Sequence, residues 1–482
     1  MTQCSCDTGP HDAALPVTPD EAILPPGPQG EPRPRDEAGP PSARPASLRR
    51  HGDFNKLWAG QAISSFGSQV TVVALPLTAV VYLRASAAQV GLMTSAALLP
   101  FLGPTLFFGV LVDRVRKRPL MIAADLGRTA ALALIPVLAW TGSLSMPVLY
   151  LVAFVNGCLA VVFELAYRSY LPGLIGPDQL LTGNSRLQAT ESISEVGGPG
   201  LGGALVQLLR APFALLADAA SFLVSVATVL WIRAREPAVT RARAAGQPAG
   251  LRGVAGEIGS GLRFIYRHPV LRPLAGGGGT LNIFSQFQLT LIVVYAVRQM
   301  HMSSGEVGLL FAGFGVGGVL AATTLGRTLA WLGYGHLLVV AYATGAVAIF
   351  CVPFVPGPAP VAATLFVVVY FVAGTGIVAL NIVSMTLRQV VTPNALQGRV
   401  NASFKFLLCA LQPVSAVAAG VLGDRLGLRY TLFIAGAGMP LSVLWIVFSP
   451  VRRVRTLAEL MNLTGPAAGS AGISPGGQAA AN

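Results

Sequence analysis

Twelve apolar runs, most of them near twenty residues long, constrain this chain more than any other feature. They fall near 57–83, 88–111, 119–141, 145–166, 181–209 and 212–232. After a gap they resume near 272–297, 305–326, 336–356, 360–385, 400–422 and 429–449. A bilayer core needs about twenty apolar residues per helix. Inside it every backbone group must pair within its own segment, so the runs are read as helices and not strands. Composition agrees, with 53% hydrophobic and 11% charged residues, where soluble domains carry about 25% charge. Lipid has to cover what polar groups cannot. The fold class expected is an all-α membrane protein of twelve transmembrane helices.

The net charge of +13 could suggest nucleic acid, but the basic residues sit between apolar runs and form no basic face with interleaved aromatics. No nucleic-acid partner is expected; the partners are the lipid bilayer and a small-molecule substrate. Orientation follows from Lys and Arg in the short loops. With a cytoplasmic N-terminus, one side receives Arg49, Arg50, Lys56, Arg114, Arg116, Lys117 and Arg118, the arginines of 233–272, Arg327, Arg388, Arg399, Arg452, Arg453 and Arg455. The other side holds Arg84, Arg210, Arg298, Arg425 and Arg429. Both termini are therefore expected in the cytoplasm, in a multi-pass cell-membrane protein. The first fifty residues lack an apolar h-region of a secretory signal, and Cys4, Cys6, Cys158, Cys351 and Cys409 show neither zinc spacing nor a disulfide framework.

Segment 233–271 divides the runs six and six. The expected organisation is a disordered tail at 1–50, a six-helix bundle at 51–232, a linker at 233–271, a second bundle at 272–450 and a tail at 451–482. Within the linker, Ile258, Leu262, Ile265 and Tyr266 recur at helical spacing beside Arg263 and Arg267. They form either an amphipathic helix on the anionic inner leaflet or an ordinary solvated connection. The bundles resemble each other: Val90-Gly91-Leu92 recurs as Val307-Gly308-Leu309, and at the same offset Gly109 meets Gly326, Asn184 meets Asn401 and Gly203 meets Gly420. Such parallel repeats carry a site at their interface near the midplane.

Polar residues inside the runs are the site candidates. Asn184, Gln188, Glu191 and Glu195 project within about 60° of one another on the fifth helix at a hundred degrees per residue. An ionised carboxylate at bilayer depth costs about 2.5–3.5 kcal/mol on insertion scales. Two on one face must meet water, a counter-ion or protons. Glu191 and Glu195 are therefore candidates for proton coupling or for a substrate cation, or they are static partners of Lys405 or Arg168. Asp218 is a further candidate, or a structural acid held by Ser221. Glu164 and Arg168 read as an i,i+4 pair, and Lys405 as a counter-ion across the interface. Gln61 and Ser65, Asn282 and Gln286, and Asn381 are neutral polar candidates for the cavity. Gly313-Phe-Gly-Val-Gly317-Gly318 satisfies G-x-G-x-x-G without a preceding strand, so helix packing explains it. No Walker A pattern occurs.

Two motifs carry a family resemblance. Gly109-Val-Leu-Val-Asp113-Arg114-Val-Arg116-Lys117-Arg118 resembles the loop signature G-x-x-x-D-R-x-G-R-R of the major facilitator superfamily, with Arg116 in place of the second glycine. Ser194-Glu-Val-Gly-Gly198-Pro199-Gly-Leu-Gly202-Gly203 is similar to the fifth-helix G-P-x-x-G-G of that superfamily's antiporters. Segments Pro177–Leu187 and Pro393–Val400 look like its enterobactin-exporter and macrolide-efflux branch. The resemblance implies two six-helix pseudo-repeats and a cavity lined by spans one, four, seven and ten. It also implies a cytoplasmic latch at Gly109, Asp113, Arg114 and Arg118, extended by the pair Asp125 and Arg128. The alternatives are a positive-inside anchor and a structural ion pair. Gly198, Pro199, Gly202 and Gly203 would mark an exchanger, or helix packing alone. The function expected is proton-coupled export of a hydrophobic small molecule by a functional monomer that is no enzyme and holds no cofactor or metal. An importer or uniporter of the same fold and a non-transporting membrane sensor are the rivals.

Overall fold

Residues 51–102, 108, 112, 115–176, 179–234, 251–355, 359–393 and 396–464 are described in a computed structural model, and no strand occurs among them. The first half holds α1 (Gly52–Leu77, continued by a π turn Thr78–Tyr82), α2 (Ala87–Leu98), α3 (Lys117–Trp140), α4 (Met146–Leu174), α5 (Leu180–Leu209) and α6 (Ala211–Leu230). A connecting helix, α7 (Leu251–Arg267), leads to α8 (Leu271–Arg298), α9 (Ser304–Cys351) and α10 (Ala359–Val391). They are followed by α11 (Gln397–Cys409), α12 (Gln412–Leu426), α13 (Leu428–Gly438), α14 (Pro440–Val447) and α15 (Leu457–Thr464).

Nine helical stretches among the described residues are long and apolar enough to cross a membrane. One of them, Ser304–Phe354, runs to 51 residues and divides at Gly333, whose φ is +70°. Two further helices among the described residues agree with a total of twelve spans. The described part of span two, Ala87–Phe101, is short. Span five, α5, has 30 residues but is diluted by Asn184, Arg186, Gln188, Glu191 and Glu195. Spans eleven and twelve are broken: α12 restarts at Gln412-Pro413 and α14 at Pro440, because proline cannot donate into the preceding turn. Helices also outlast their apolar runs. α4 continues to Leu174 and α10 to Val391, beyond the expected limits of 166 and 385, since leaving hydrocarbon ends the need for apolar side chains but not the hydrogen bonding.

We call the end bearing Gly52, Trp231 and Leu271 the termini end, and the end bearing Arg84, Arg210, Arg298 and Gly427 the far end. Large aromatic side chains stand exposed near both: Trp231 (69%) and Trp331 (85%) toward the first, Trp140 (85%) and Tyr430 (72%) toward the second. Such belts mark the headgroup levels of a bilayer. At the termini end Asp53 accepts the backbone N–H groups of Arg233 and Ala234 (3.1 and 2.8 Å), tying the start of α1 to the exit of α6. The chain after span twelve is also held there. Gly335 N–H donates to Val454 O at 2.7 Å, and a Cβ on Gly333 would meet Arg455 Cα at 2.8 Å. Helix α7 packs its buried Ile265 inward and leaves Tyr266 72% exposed. Gly261 lies directly on the Arg399 carbonyl of α11. One face of the expected amphipathic helix is thus taken by protein; the side chains of Glu257 and Ile258 are outside the described set.

The repeat suspected from sequence recurs in backbone geometry at a spacing of 217 residues. Positive φ occurs at Arg84 and His301 (52° and 53°) and again at Arg210 and Gly427 (67° and 91°). Two matched capping boxes open even-numbered spans: Ser86 with Gln89, and Ser303 with Glu306. Glycine crossings join the halves in swapped register. Gly91 lies against Ala416 and Gly420 of α12, while Gly203 lies against Gly308 of α9. The step from 91 to 308 equals that from 203 to 420, so the same contact is made twice with the halves exchanged. The glycine-rich run in α9 packs as expected: a Cβ on Gly313 would meet Val367 O of α10 at 2.8 Å.

Candidate functional site

Two carboxylates and one guanidinium are buried together in the first half. Asp125 and Arg128 sit one turn apart on α3, 3.7 Å apart, and Arg128 lies close enough to feel the charge of Asp218 on α6. Asp218 accepts from Thr71 Oγ1 of α1 and from Ser221 Oγ at 3.2 Å. Arg128 donates to Asn156 Oδ1 and Ser68 Oγ, both at 3.3 Å, and its Cζ stands 3.7 Å over the Phe222 ring. Both acids are only 1% exposed. Four helices thus meet on one cation, and all of its partners belong to the first half. One carboxylate exceeds what the guanidinium neutralises, a costly arrangement at low dielectric.

Arg128 also faces a cavity of about 250 Å³ between α1, α3, α4 and α5. Gln61, Ser64, Ser65, Ser68 and Gln69 form one wall, Glu164, Tyr167 and Arg168 a second, and Glu191, Ser194 and Glu195 a third. Glu164 pairs with Arg168 at 2.7 Å, the i,i+4 pair expected, and with Lys405 of α11 at 3.2 Å, so the carboxylate that bridges the halves is Glu164 and not Glu191 or Glu195. Glu191 accepts from Gln188 Nε2 at 3.4 Å. Gln61 Oε1 and Tyr167 Oη are buried without a hydrogen-bond partner; such groups are unstable as they stand and are available to a ligand or water. The volume is below the roughly 300–1,000 Å³ of a drug-sized site, so a large ligand would need the second half to contribute wall.

Other predicted residues fall elsewhere. Asn282 accepts from Gln412 Nε2 and donates to Gly278 O, both at 2.9 Å. Gln286 is buried against Thr290 at 3.2 Å, and Asn381 is exposed; none of the three lines this cavity. Gly198 and Gly202 let α5 close on Gln69 and Val70 of α1, whereas Gly203 makes the crossing to α9. Pro199 is buried between them. Arg118 donates to the terminal carbonyls Val229 O and Leu230 O of α6 at 3.1 and 2.7 Å. Gly109, Asp113 and Arg114 lie outside the described residues, as do Pro177, Asp178, Asn394 and Ala395 of the branch motifs, and so do Cys4 and Cys6.

Sequence reasoning missed the device that shuts the far end. Asp424 of α12 accepts Ala87 N–H, Ala88 N–H and Ser86 Oγ at 2.9, 3.0 and 2.6 Å, capping α2 from the opposite half. In the matching place Gln207 of α5 accepts Gly305 N–H of α9 at 3.0 Å. Arg298 adds bonds to Arg84 O and Ala85 O at 2.7 and 2.6 Å. A signal existed: Gln207 and Asp424 share the 217-residue spacing of the repeat.

Two like halves, the first holding a polar cavity and the pair closed against each other at one end, define a membrane transport protein. The sequence profile of the Major Facilitator Superfamily matches residues 57–416, and the chain belongs to that superfamily. It is 27% identical over 402 residues to the multidrug efflux pump Tap of Mycolicibacterium fortuitum, covering 82% of this chain and 94% of that protein. To the enterobactin exporter EntS of Citrobacter koseri it is 24% identical over 415 residues (85% and 94%). A 183-residue stretch is 27% identical to macrolide efflux protein A of Streptococcus pyogenes (37% and 44%). Among solved structures, the nucleoside transporter NupG superposes with a TM-score of 0.65 at 12% identity, covering 82% of this chain and 99% of that one. The last comparison supports the fold alone.

Proposed function

We propose that the protein exports a hydrophobic small molecule, a drug, siderophore or other secondary metabolite, across the cell membrane in exchange for protons. One observation carries the reading: the charged cavity walled by Glu164, Glu191 and Glu195 lies on the termini side of the crossings that shut the far end. With both termini in the cytoplasm, substrate loads from inside and the far end is the closed outer gate. The buried set Asp125, Arg128 and Asp218 has one negative charge to spare, and a proton is the smallest cation that can balance it. Rocking of the two halves about the cavity would expose these groups alternately to either side. Arg118, with Gly109, Asp113 and Arg114, would form the inner latch. The carrier works as a monomer on the proton gradient, without cofactor or metal.

The test is expression in an efflux-deficient bacterium against a panel of antibiotics and dyes, with dye movement followed in inverted vesicles. Extrusion should follow the proton gradient and stop with a protonophore, and Glu191→Gln and Glu195→Gln should lose concentrative export. Full export by both variants after the gradient has collapsed would leave an importer-like or uniport cycle as the better account.

A further inference from the structure

Two cavities of about 780 and 530 Å³ open at the termini end of the second half and share Phe448, Ser449 and Pro450. They form one groove along the lipid-facing side of α14. Its lower wall is apolar: Leu441, Leu444 and Trp445, ending at Phe448, which is 84% exposed. The indole of Trp445 lies on Gly276 of α8 and donates to Thr280 Oγ1 at 3.2 Å, so this wall is fixed. Its upper rim carries three guanidinium groups, Arg272 at the start of α8 and Arg452 and Arg453 just past α14. The groove therefore changes from hydrocarbon-like to cationic where the apolar helix ends.

Among the described residues the rim cations form no ion pair; the acids that do are Asp53, Asp125 and Glu164. Glu459, the one carboxylate among the described residues of the wall, accepts the backbone N–H of Arg455 at 2.7 Å. We propose that this groove is a binding site for one anionic phospholipid, its phosphate between Arg272 and the Arg452–Arg453 pair and its chains along Leu441, Leu444, Trp445 and Phe448. Guanidinium suits phosphate through planar, forked hydrogen bonding, and basic residues at the cytoplasmic headgroup level favour anionic lipid. A free phosphate would leave the apolar wall uncovered. The acidic residues of 1–50 lie in a segment without an apolar run and would leave it uncovered too. The site stands apart from the transport cavity and does not depend on substrate or direction.

Trp445 provides a local reporter. Full-length protein in detergent is titrated with brominated phosphatidylglycerol or brominated phosphatidylcholine, and quenching of tryptophan fluorescence is read against a Trp445→Phe variant. The Trp445-dependent quenching should show at least about a tenfold preference for the anionic lipid, as expected of three interfacial cations. Combined Arg272→Gln, Arg452→Gln and Arg453→Gln should bring the two lipids to parity, and the corresponding lysine variant should keep a preference. Glycerol phosphate should not displace the lipid. Equal quenching by both lipids, a preference that survives the glutamine variant, or displacement by glycerol phosphate would each overturn the proposal. The last result would make this a site for soluble anions.

Discussion

Arg210 holds φ 67° and ψ 151°, a region essentially reserved for glycine, and glycine does occupy it at the matching Gly427. Relieving such a residue is worth about 1–3 kcal/mol. Arg210→Gly is therefore expected to raise the thermal unfolding temperature of the purified protein, and Gly427→Ala to lower it. Arg128 argues the opposite case, since removing it leaves two acids without their cation. Arg128→Ala should cost about 3–5 kcal/mol, and adding Asp218→Asn should recover part of the loss in the same unfolding assay. His268, between α7 and α8, accepts the N–H groups of Val270 and Leu271 at 3.2 and 3.3 Å, and burial holds its imidazole below the ordinary pKa of 6.5. The folded state then binds fewer protons than the unfolded one. The contribution is fully present above about pH 6.5 and is lost as pH falls through the depressed value. An asparagine in its place should flatten stability between pH 7.5 and 5.5.

At the scale of elements, much of the fold could be read before any coordinates. The described helices follow the apolar runs and agree with twelve spans, because the bilayer demands length and apolarity together. The i,i+3 pair of Asp125 and Arg128 could also be read, since helical spacing fixes it; that Lys405 meets a carboxylate across the halves could be read as well, but not that the carboxylate is Glu164 rather than Glu191 or Glu195. The breaks at Ala410–Leu411 and Met439 were missed: apolarity is continuous through them, and only Pro413 and Pro440 hint at the backbone. The second-half cavity candidates could not be placed from pattern alone, because Asn282 is taken by Gln412 from a neighbouring helix. The cap on α2 depends likewise on a residue more than three hundred positions away. Losing a capping acceptor costs about 0.5–2 kcal/mol. Asp424→Ala should loosen the far end and speed labelling of a cysteine placed at Ala416 by a polar maleimide, while Glu306→Ala, which touches only its own helix start, should change labelling less.

For the whole molecule, the far end closes through two glycine crossings with room for no side chain. A leucine at Gly203 or at Gly420 should wedge that end apart, reducing transport while leaving an assembled membrane protein. Both substitutions obstruct one closing movement, so together they should cost less than the sum of their separate effects on closure, as coupled sites do. The exchange of parts between Gly91–Gly420 and Gly203–Gly308 carries a genetic corollary. Selection for recovery of a defective Gly203 variant should return second-site revertants not only beside the lesion but also at its mirror position, some two hundred residues away and on the opposite side of the molecule.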